Sequence, residues 1–177
     1  MATLRAESRF RSFQAAVTSA HDYFNKKNYT AAITTADRAF RMVPRNHKAD
    51  AFGSAYASGK DELAQLVNYA AGAIGEDLSN AQHKAQSEIE RMKRGGRASP
   101  VARASIQKME GYISALGSMK NGPNLVKETV HSYESSAADL RAQLERVAKS
   151  RGVELDWDAP LRGKANGKQK EKASADK

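Results

Sequence analysis

The chain has 177 residues, contains no cysteine and carries a formal net charge of +9. The lack of cysteine excludes disulfides and thiolate metal sites, and no run of about 18 apolar residues offers a membrane-spanning helix. The excess of Lys and Arg lies towards the two ends of the sequence, which favours either contact with an acidic partner or solubility alone.

Apolar residues recur at intervals of three and four along most of the chain, which predicts an all-α fold. The first predicted helix covers about residues 7–26, with Phe13 and Val17 on its apolar face. The second covers about residues 29–43 and ends before Pro44, because proline cannot continue a helix.

The middle of the chain is harder to divide, because residues 48–75 fit either one helix or two. Ser58 and Asp61 have the spacing of a capping box, which favours a new helix start at this point. Ser79 is a candidate cap for a further helix. We therefore expect a central pair of helices within residues 47–98.

The predicted helices of residues 99–152 are an antiparallel hairpin joined by a turn rich in Gly, Asn and Pro. The first begins at a Ser-Pro pair, which is typical of a helix start. The second carries an unbroken heptad stripe, which packs either inside the chain or against a second chain as a coiled coil. The stripe consists of Val126, Val130, Tyr133, Ala137, Leu140, Leu144 and Val147.

The last segment, residues 153–177, has two parts. Apolar residues, among them Trp157, first alternate with acidic ones, so this stretch either folds back on the bundle or serves a partner as a docking strand. From Arg162 onward it offers no apolar side chain to a core, which predicts a disordered basic tail. The chain is thus divided into residues 1–46, 47–98, 99–152 and 153–177.

Residues 13–46 resemble a single tetratricopeptide repeat, a pair of antiparallel helices of about 34 residues. When the closing proline of the repeat is aligned with Pro44, small and aromatic residues fall on the signature positions of the family. The matching residues are Ala20, Tyr23, Tyr29, Ala32, Ile33, Ala39 and Pro44. The chain contains either one such repeat capped by other helices or a hairpin that converged on the pattern, since solenoids need at least about three repeats.

The resemblance is incomplete. Ala16 and Ser19 stand at the Trp and Leu positions of the family, and a second repeat does not align because Ala57 would occupy its aromatic position. The resemblance implies a protein-binding surface on the inner face of the first helix. It does not imply the carboxylate clamp of the chaperone-binding members, because Val17 and His21 stand where those members carry Lys and Asn.

No catalytic or cofactor motif occurs in the sequence. The four histidines are scattered without ligand spacing, and phosphate-loop, dinucleotide and nucleophile-elbow patterns are absent. We therefore predict that the protein is not an enzyme and uses no metal, no cofactor and no small-molecule substrate.

Basic residues cluster in the second predicted helix, around a Gly-Gly pair near residue 95, and in the tail. Each cluster fits either phosphate contact or ordinary solubilising charge, and without interleaved aromatic residues any binding to nucleic acid should weaken with salt. The candidate phosphate-contacting residues are Arg38, Arg41, Arg45, Lys93, Arg94, Arg97, Arg162, Lys164, Lys168 and Lys170.

The leading functional prediction is a cytoplasmic protein-interaction or assembly module that binds a protein partner or a second copy of itself. The alternative is a nucleic-acid-associated structural protein, such as a virion, packaging or nucleoid component. A membrane role is not expected, because no helix pairs a Lys-rich face with a broad apolar face. The candidate partner-binding residues are Phe13, Val17, Tyr23, Tyr133, Leu140, Leu144 and Trp157.

Overall fold

The computed structural model describes residues 3–117 and 124–159. These residues form α-helices and one short 3-10 helix, His47–Ala49, and no strand occurs among them. The α-helices are α1 (Leu4–Asn25), α2 (Tyr29–Met42), α3 (Gly53–Lys93), α4 (Val101–Leu116), α5 (Asn124–His131) and α6 (Glu134–Ser150). The predicted all-α fold is confirmed, whereas the basic tail from Arg162 lies outside the described residues.

The chain divides into two compact units that are each discontinuous in sequence. The first unit comprises the chain up to residue 78 together with residues 111–134, and the second comprises residues 79–110 and the chain from residue 135. Helices α3 and α4 each contribute residues to both units.

Helices α1 and α2 pack against each other as a hairpin in the first unit. The backbone N–H of Ala31 donates to the side chain of Asn28 at 3.2 Å, which caps the start of α2. In the turn between α1 and α2, Lys27 has a φ of 61°, which lies in the left-handed region. Small residues allow helices to approach closely, and three alanines of the hairpin are completely buried: Ala20, Ala32 and Ala39.

The central part of the chain forms one helix rather than two, so the predicted central pair is wrong. Helix α3 passes through Ser58 and Asp61 without a break, and both side chains are exposed. Gly59, which lies between these two residues, is in close contact with α1: a Cβ at this position would lie 2.6 Å from Cε1 of Phe13. Glycine is thus present for close contact with α1 and does not end the helix.

The last predicted helix is interrupted at residues 132–133, so the prediction of an unbroken helix is also wrong. The backbone N–H of Tyr133 bonds to the carbonyl of Val130 at 3.2 Å, a turn of three residues instead of four. The hydroxyl of Ser132 donates to the carbonyl of Thr129 at 2.7 Å. A stretch of β-branched and hydroxyl residues favours such local bonds over continuation of the helix.

Within the second unit, α4 and α6 run antiparallel. Glu110, in the later half of α4, pairs with Arg141 in the first half of α6 at 2.8 Å. Arg103, near the start of α4, donates hydrogen bonds to carbonyls of residues that follow the end of α6. The antiparallel packing expected for residues 99–152 is therefore present between these two helices, although α5 and α6 are separate helices.

Each unit has its own buried apolar side chains, and burial of each large one stabilises the fold by about 1.5–3 kcal/mol. In the first unit they include Phe13, Ile33, Tyr56, Leu63, Val67 and Ile74. In the second they include Ile89, Ile106, Met109, Leu140 and Leu144. Among the described helices, none combines the length and the apolar composition that crossing a bilayer requires.

Candidate functional site

Helices α1 and α3 lie side by side and run parallel in the first unit. The ring of Phe10 stacks on that of Phe52 with centroids 4.5 Å apart, and Phe13 contacts Tyr56 at 5.0 Å. Further along both helices, Nε2 of His21 lies 3.7 Å from a carboxylate oxygen of Glu62. Residue numbers rise together along the two helices, which fixes their parallel direction.

A cleft of about 280 Å³ lies along this pair of helices, and we call it the α1–α3 cleft. Aromatic and aliphatic side chains of α1 supply its apolar part, while hydroxyl, amide and carboxylate groups from both helices supply its polar part. The lining residues are Phe10, Phe13, Gln14, Val17, Thr18, Ala55, Ser58, Gly59 and Glu62.

Small residues on α3 create the cleft. Ala55, Ser58 and Gly59 form the α3 wall, and none of them extends far from the helix backbone. The ring of Phe13 occupies the space beside Gly59 and is only 1% exposed. The open part of the cleft thus lies beside Ala55 and Ser58, whereas Phe13 fills the space beside Gly59.

The structure separates the three residues that the sequence suggested as a contact surface on the first helix. Phe13 is part of the core, Val17 is half-buried in the cleft, and Tyr23 is 40% exposed but does not line the cleft. The polar residues of the cleft were not predicted, because half of them come from α3, about 40 residues later in the chain. The small residues of positions 53–59, which are Gly, Ala or Ser at every position except Tyr56, were the available signal.

The heptad residues face inward. Leu140 and Leu144 are buried in the second unit, and Tyr133 is half-buried at the interruption between α5 and α6. The heptad stripe thus packs inside the chain and does not form an exposed coiled-coil surface.

The segment after α6 folds back on the second unit. The indole N–H of Trp157 donates to Glu145 at 3.1 Å, and the guanidinium carbon of Arg141 lies 4.0 Å from the centre of its ring. Main-chain carbonyls of the segment accept hydrogen bonds from Arg103 and Gln107 of α4. Trp157 is consequently half-buried against its own chain.

Two of the basic clusters lie in different units. Arg38, Arg41 and Arg45 are exposed in the first unit, and Arg41 pairs with Asp37 at 3.4 Å. Lys93, Arg94 and Arg97 are exposed in the second unit. The third cluster lies outside the described residues, and its members are Arg162, Lys164, Lys168 and Lys170.

Titratable groups with a shifted pKa do not gather at one place. The largest shift is that of Tyr112, whose pKa is raised first by burial and then by its hydrogen bond to Asp77 at 2.6 Å. The pKa of Tyr56 is raised by burial, and that of Glu88 is lowered by hydrogen bonds from Arg91 and Ser99. No group of three potential metal ligands occurs within residues 3–117 and 124–159.

Comparison of the chain with protein-family models, with curated proteins and with solved structures found no match.

Proposed function

We propose that this chain is a non-enzymatic protein-interaction module whose partner inserts an apolar side chain into the α1–α3 cleft. The observation that carries the proposal is the composition of this cleft. Apolar groups of Phe10 and Val17 lie beside the hydrogen-bonding groups of Gln14, Thr18 and Ser58. Such a combination suits a peptide, which presents apolar side chains and main-chain polar groups together.

The size and the composition of the cleft suit a protein side chain. The cleft has about 280 Å³ and one carboxylate, that of Glu62, in its lining. The cleft has room for one or two side chains. The carboxylate of Glu62 can accept a hydrogen bond from an N–H or O–H group of the partner.

The resemblance to a tetratricopeptide repeat supports the same surface. In the hairpin of α1 and α2, the alanines at the small positions of the repeat are completely buried. The resemblance implies a binding surface on the first helix, and the cleft runs along that helix. The proposed partner is therefore a segment of another protein, or of a second copy of this chain.

A selection experiment tests the proposal with a pair of matched variants. Peptides are selected from a random display library on the full chain, and their affinities are measured for Ser58→Arg and Ser54→Arg. Both serines are exposed on α3 one turn apart, but Ser58 lines the cleft and Ser54 does not. We expect Ser58→Arg to weaken binding at least about tenfold, which corresponds to about 1.4 kcal/mol, and Ser54→Arg to leave it unchanged.

Two results would contradict the proposal. One is the absence of any selected peptide that binds the full chain. The other is equal binding to both variants, because an arginine at residue 58 fills the cleft whereas one at residue 54 does not. Circular dichroism of the two variants checks that both remain folded.

A further inference from the structure

One side of α3 is exposed to solvent along the first unit. It carries residues spaced four, three and four positions apart, which is the spacing by which one helix packs along another. Tyr69 in this stripe is 73% exposed, more than any other aromatic side chain in the described part of the chain. We call this side the α3 face, and it consists of Gln65, Tyr69, Gly72 and Glu76, all of which are exposed.

Gly72 leaves a notch in the α3 face. A Cβ at this position would have no neighbour within 4 Å, so no other helix of the first unit uses the space that the glycine leaves. Glycine inside a helix lowers the stability of the helix relative to alanine, but it allows another backbone or side chain to approach closely. The α3 face therefore combines an exposed aromatic ring with a notch one helical turn away.

The α3 face is complementary to itself when two copies of α3 run antiparallel. Tyr69 and Gly72 are equally far from the midpoint between positions 70 and 71, and so are Gln65 and Glu76. A two-fold axis through this midpoint places Tyr69 of each copy over Gly72 of the other. The same axis places the side-chain amide of Gln65 opposite the carboxylate of Glu76, to which it can donate a hydrogen bond.

A parallel pairing of the same face is unfavourable. When both helices run in the same direction, each residue meets its own copy, so the carboxylate of Glu76 faces a second carboxylate and the two repel each other. The notch at Gly72 then faces a second notch and stays unfilled, which loses van der Waals contact. The antiparallel arrangement fills the notch and pairs the carboxylate, whereas the parallel one does neither.

We propose that two copies of this chain associate through the α3 face, with their α3 helices antiparallel and Tyr69 of each copy seated over Gly72 of the other. A second copy is the favoured occupant, because the ring and the notch that receives it lie on the same helix. One pair of helices buries less than the roughly 1,200–2,000 Å² of a stable interface, so the dimer is weak and reversible. The α3 face shares no residue with the α1–α3 cleft, so this dimer does not depend on the proposed peptide site.

Sedimentation equilibrium of the full chain over about a hundredfold range of concentration tests the proposal. We expect the average mass to rise from that of one chain towards that of two. The test variant is Gly72→Arg, which fills the notch, and the matched control is Gly111→Arg on α4. Both glycines are exposed in helices of the first unit, and a Cβ on either would have no neighbour within 4 Å, so both variants should fold.

The two arginine variants should differ in self-association. Gly72→Arg should raise the dissociation constant of the dimer at least about tenfold, because the arginine holds the two helices apart. Gly111→Arg should leave the dissociation constant unchanged. Circular dichroism of both variants checks that their helix content is that of the unsubstituted chain.

Exchange of two polar residues tests the antiparallel direction. Gln65→Glu places two carboxylates opposite each other and should raise the dissociation constant at least about threefold at low salt. Glu76→Gln should also weaken the dimer, because a hydrogen bond to a charged acceptor is replaced by one to a neutral acceptor. The double variant restores an amide opposite each carboxylate, so it should associate as the unsubstituted chain does.

Four results would overturn the proposal. The first is the mass of one chain at every concentration. The second is the same dissociation constant for Gly72→Arg and Gly111→Arg. The third is a mass above that of two chains, because the two-fold pairing of one face closes at a dimer. The fourth is stronger association of Glu76→Gln, which would indicate parallel helices with facing carboxylates.

Discussion

Two glycines within α3 occupy opposite environments. A Cβ on Gly59 would lie 2.6 Å from Phe13, whereas a Cβ on Gly72 would have no neighbour within 4 Å. Phe13 is buried and cannot move aside without disturbing the core. Gly59 is therefore required for the close packing of α3 on α1, whereas Gly72 is not required for packing within the chain.

Alanine at these two positions should change stability in opposite directions. Gly72→Ala should raise the free energy of unfolding by about 0.5–1 kcal/mol, because alanine favours the helix and meets nothing. Gly59→Ala should lower it by about 1–3 kcal/mol through overpacking against Phe13. Urea unfolding followed by circular dichroism measures both, and equal effects of the two substitutions would contradict this assignment.

Tyr112 should ionise late in an alkaline titration. Burial and the bond to Asp77 raise its pKa, so the stability that this contact contributes is fully present below pH about 10. That stability is lost as the pH rises through the raised pKa of the folded state. Tyrosinate absorbance of the full chain should show a late component to which buried Tyr56 also contributes. This component should decrease in Tyr112→Phe and stay unchanged in Tyr69→Phe, which changes an exposed residue. An equal decrease in both variants would contradict the assignment.

Helix α4 holds the segment after α6 through bonds to its main chain. Replacing Arg103 and Gln107 by alanine should release residues 153–159, because both side chains donate to carbonyls of that segment. The loss should amount to about 1.5–4.5 kcal/mol for the three bonds. Trp157 is the one tryptophan of the chain, so its fluorescence reports on this segment. Its emission should shift to longer wavelength and become easier to quench.

The matched control for this release uses the same residue types in the same unit. Arg94 and Gln86 are exposed on or just after α3 and make no hydrogen bond to the segment among the described residues. Their double alanine variant should leave the emission of Trp157 unchanged. An identical red shift in both double variants would show that the segment is not held by α4.

The elements could be predicted from the sequence where local signals agree with packing. Helix α2 was predicted almost to its last residue, because the signal that ends it, Pro44, is local. The continuity of α3 could not be predicted, because the need for Gly59 comes from Phe13 in another helix. The interruption between α5 and α6 could not be predicted from the heptad pattern, because the apolar spacing continues through Tyr133 without a change.

At the scale of the whole chain, peptide binding should depend little on salt. The α1–α3 cleft has a largely neutral lining, so charge screening changes the affinity for a peptide only slightly. The basic residues after α3 were predicted from the sequence, but the contacts of Lys93 with Gln143 and of Arg151 with Met92 depend on how α6 packs on α3.

NMR of the full ¹⁵N-labelled chain shows whether a protein partner binds in the α1–α3 cleft. A peptide selected on the full chain is added, and the amide shift changes are mapped along the sequence. We predict that the changes concentrate in residues 10–18 of α1 and 55–62 of α3, and that they vanish in Ser58→Arg. Shift changes that concentrate instead in α6 or in residues 93–97 would contradict peptide binding in the α1–α3 cleft.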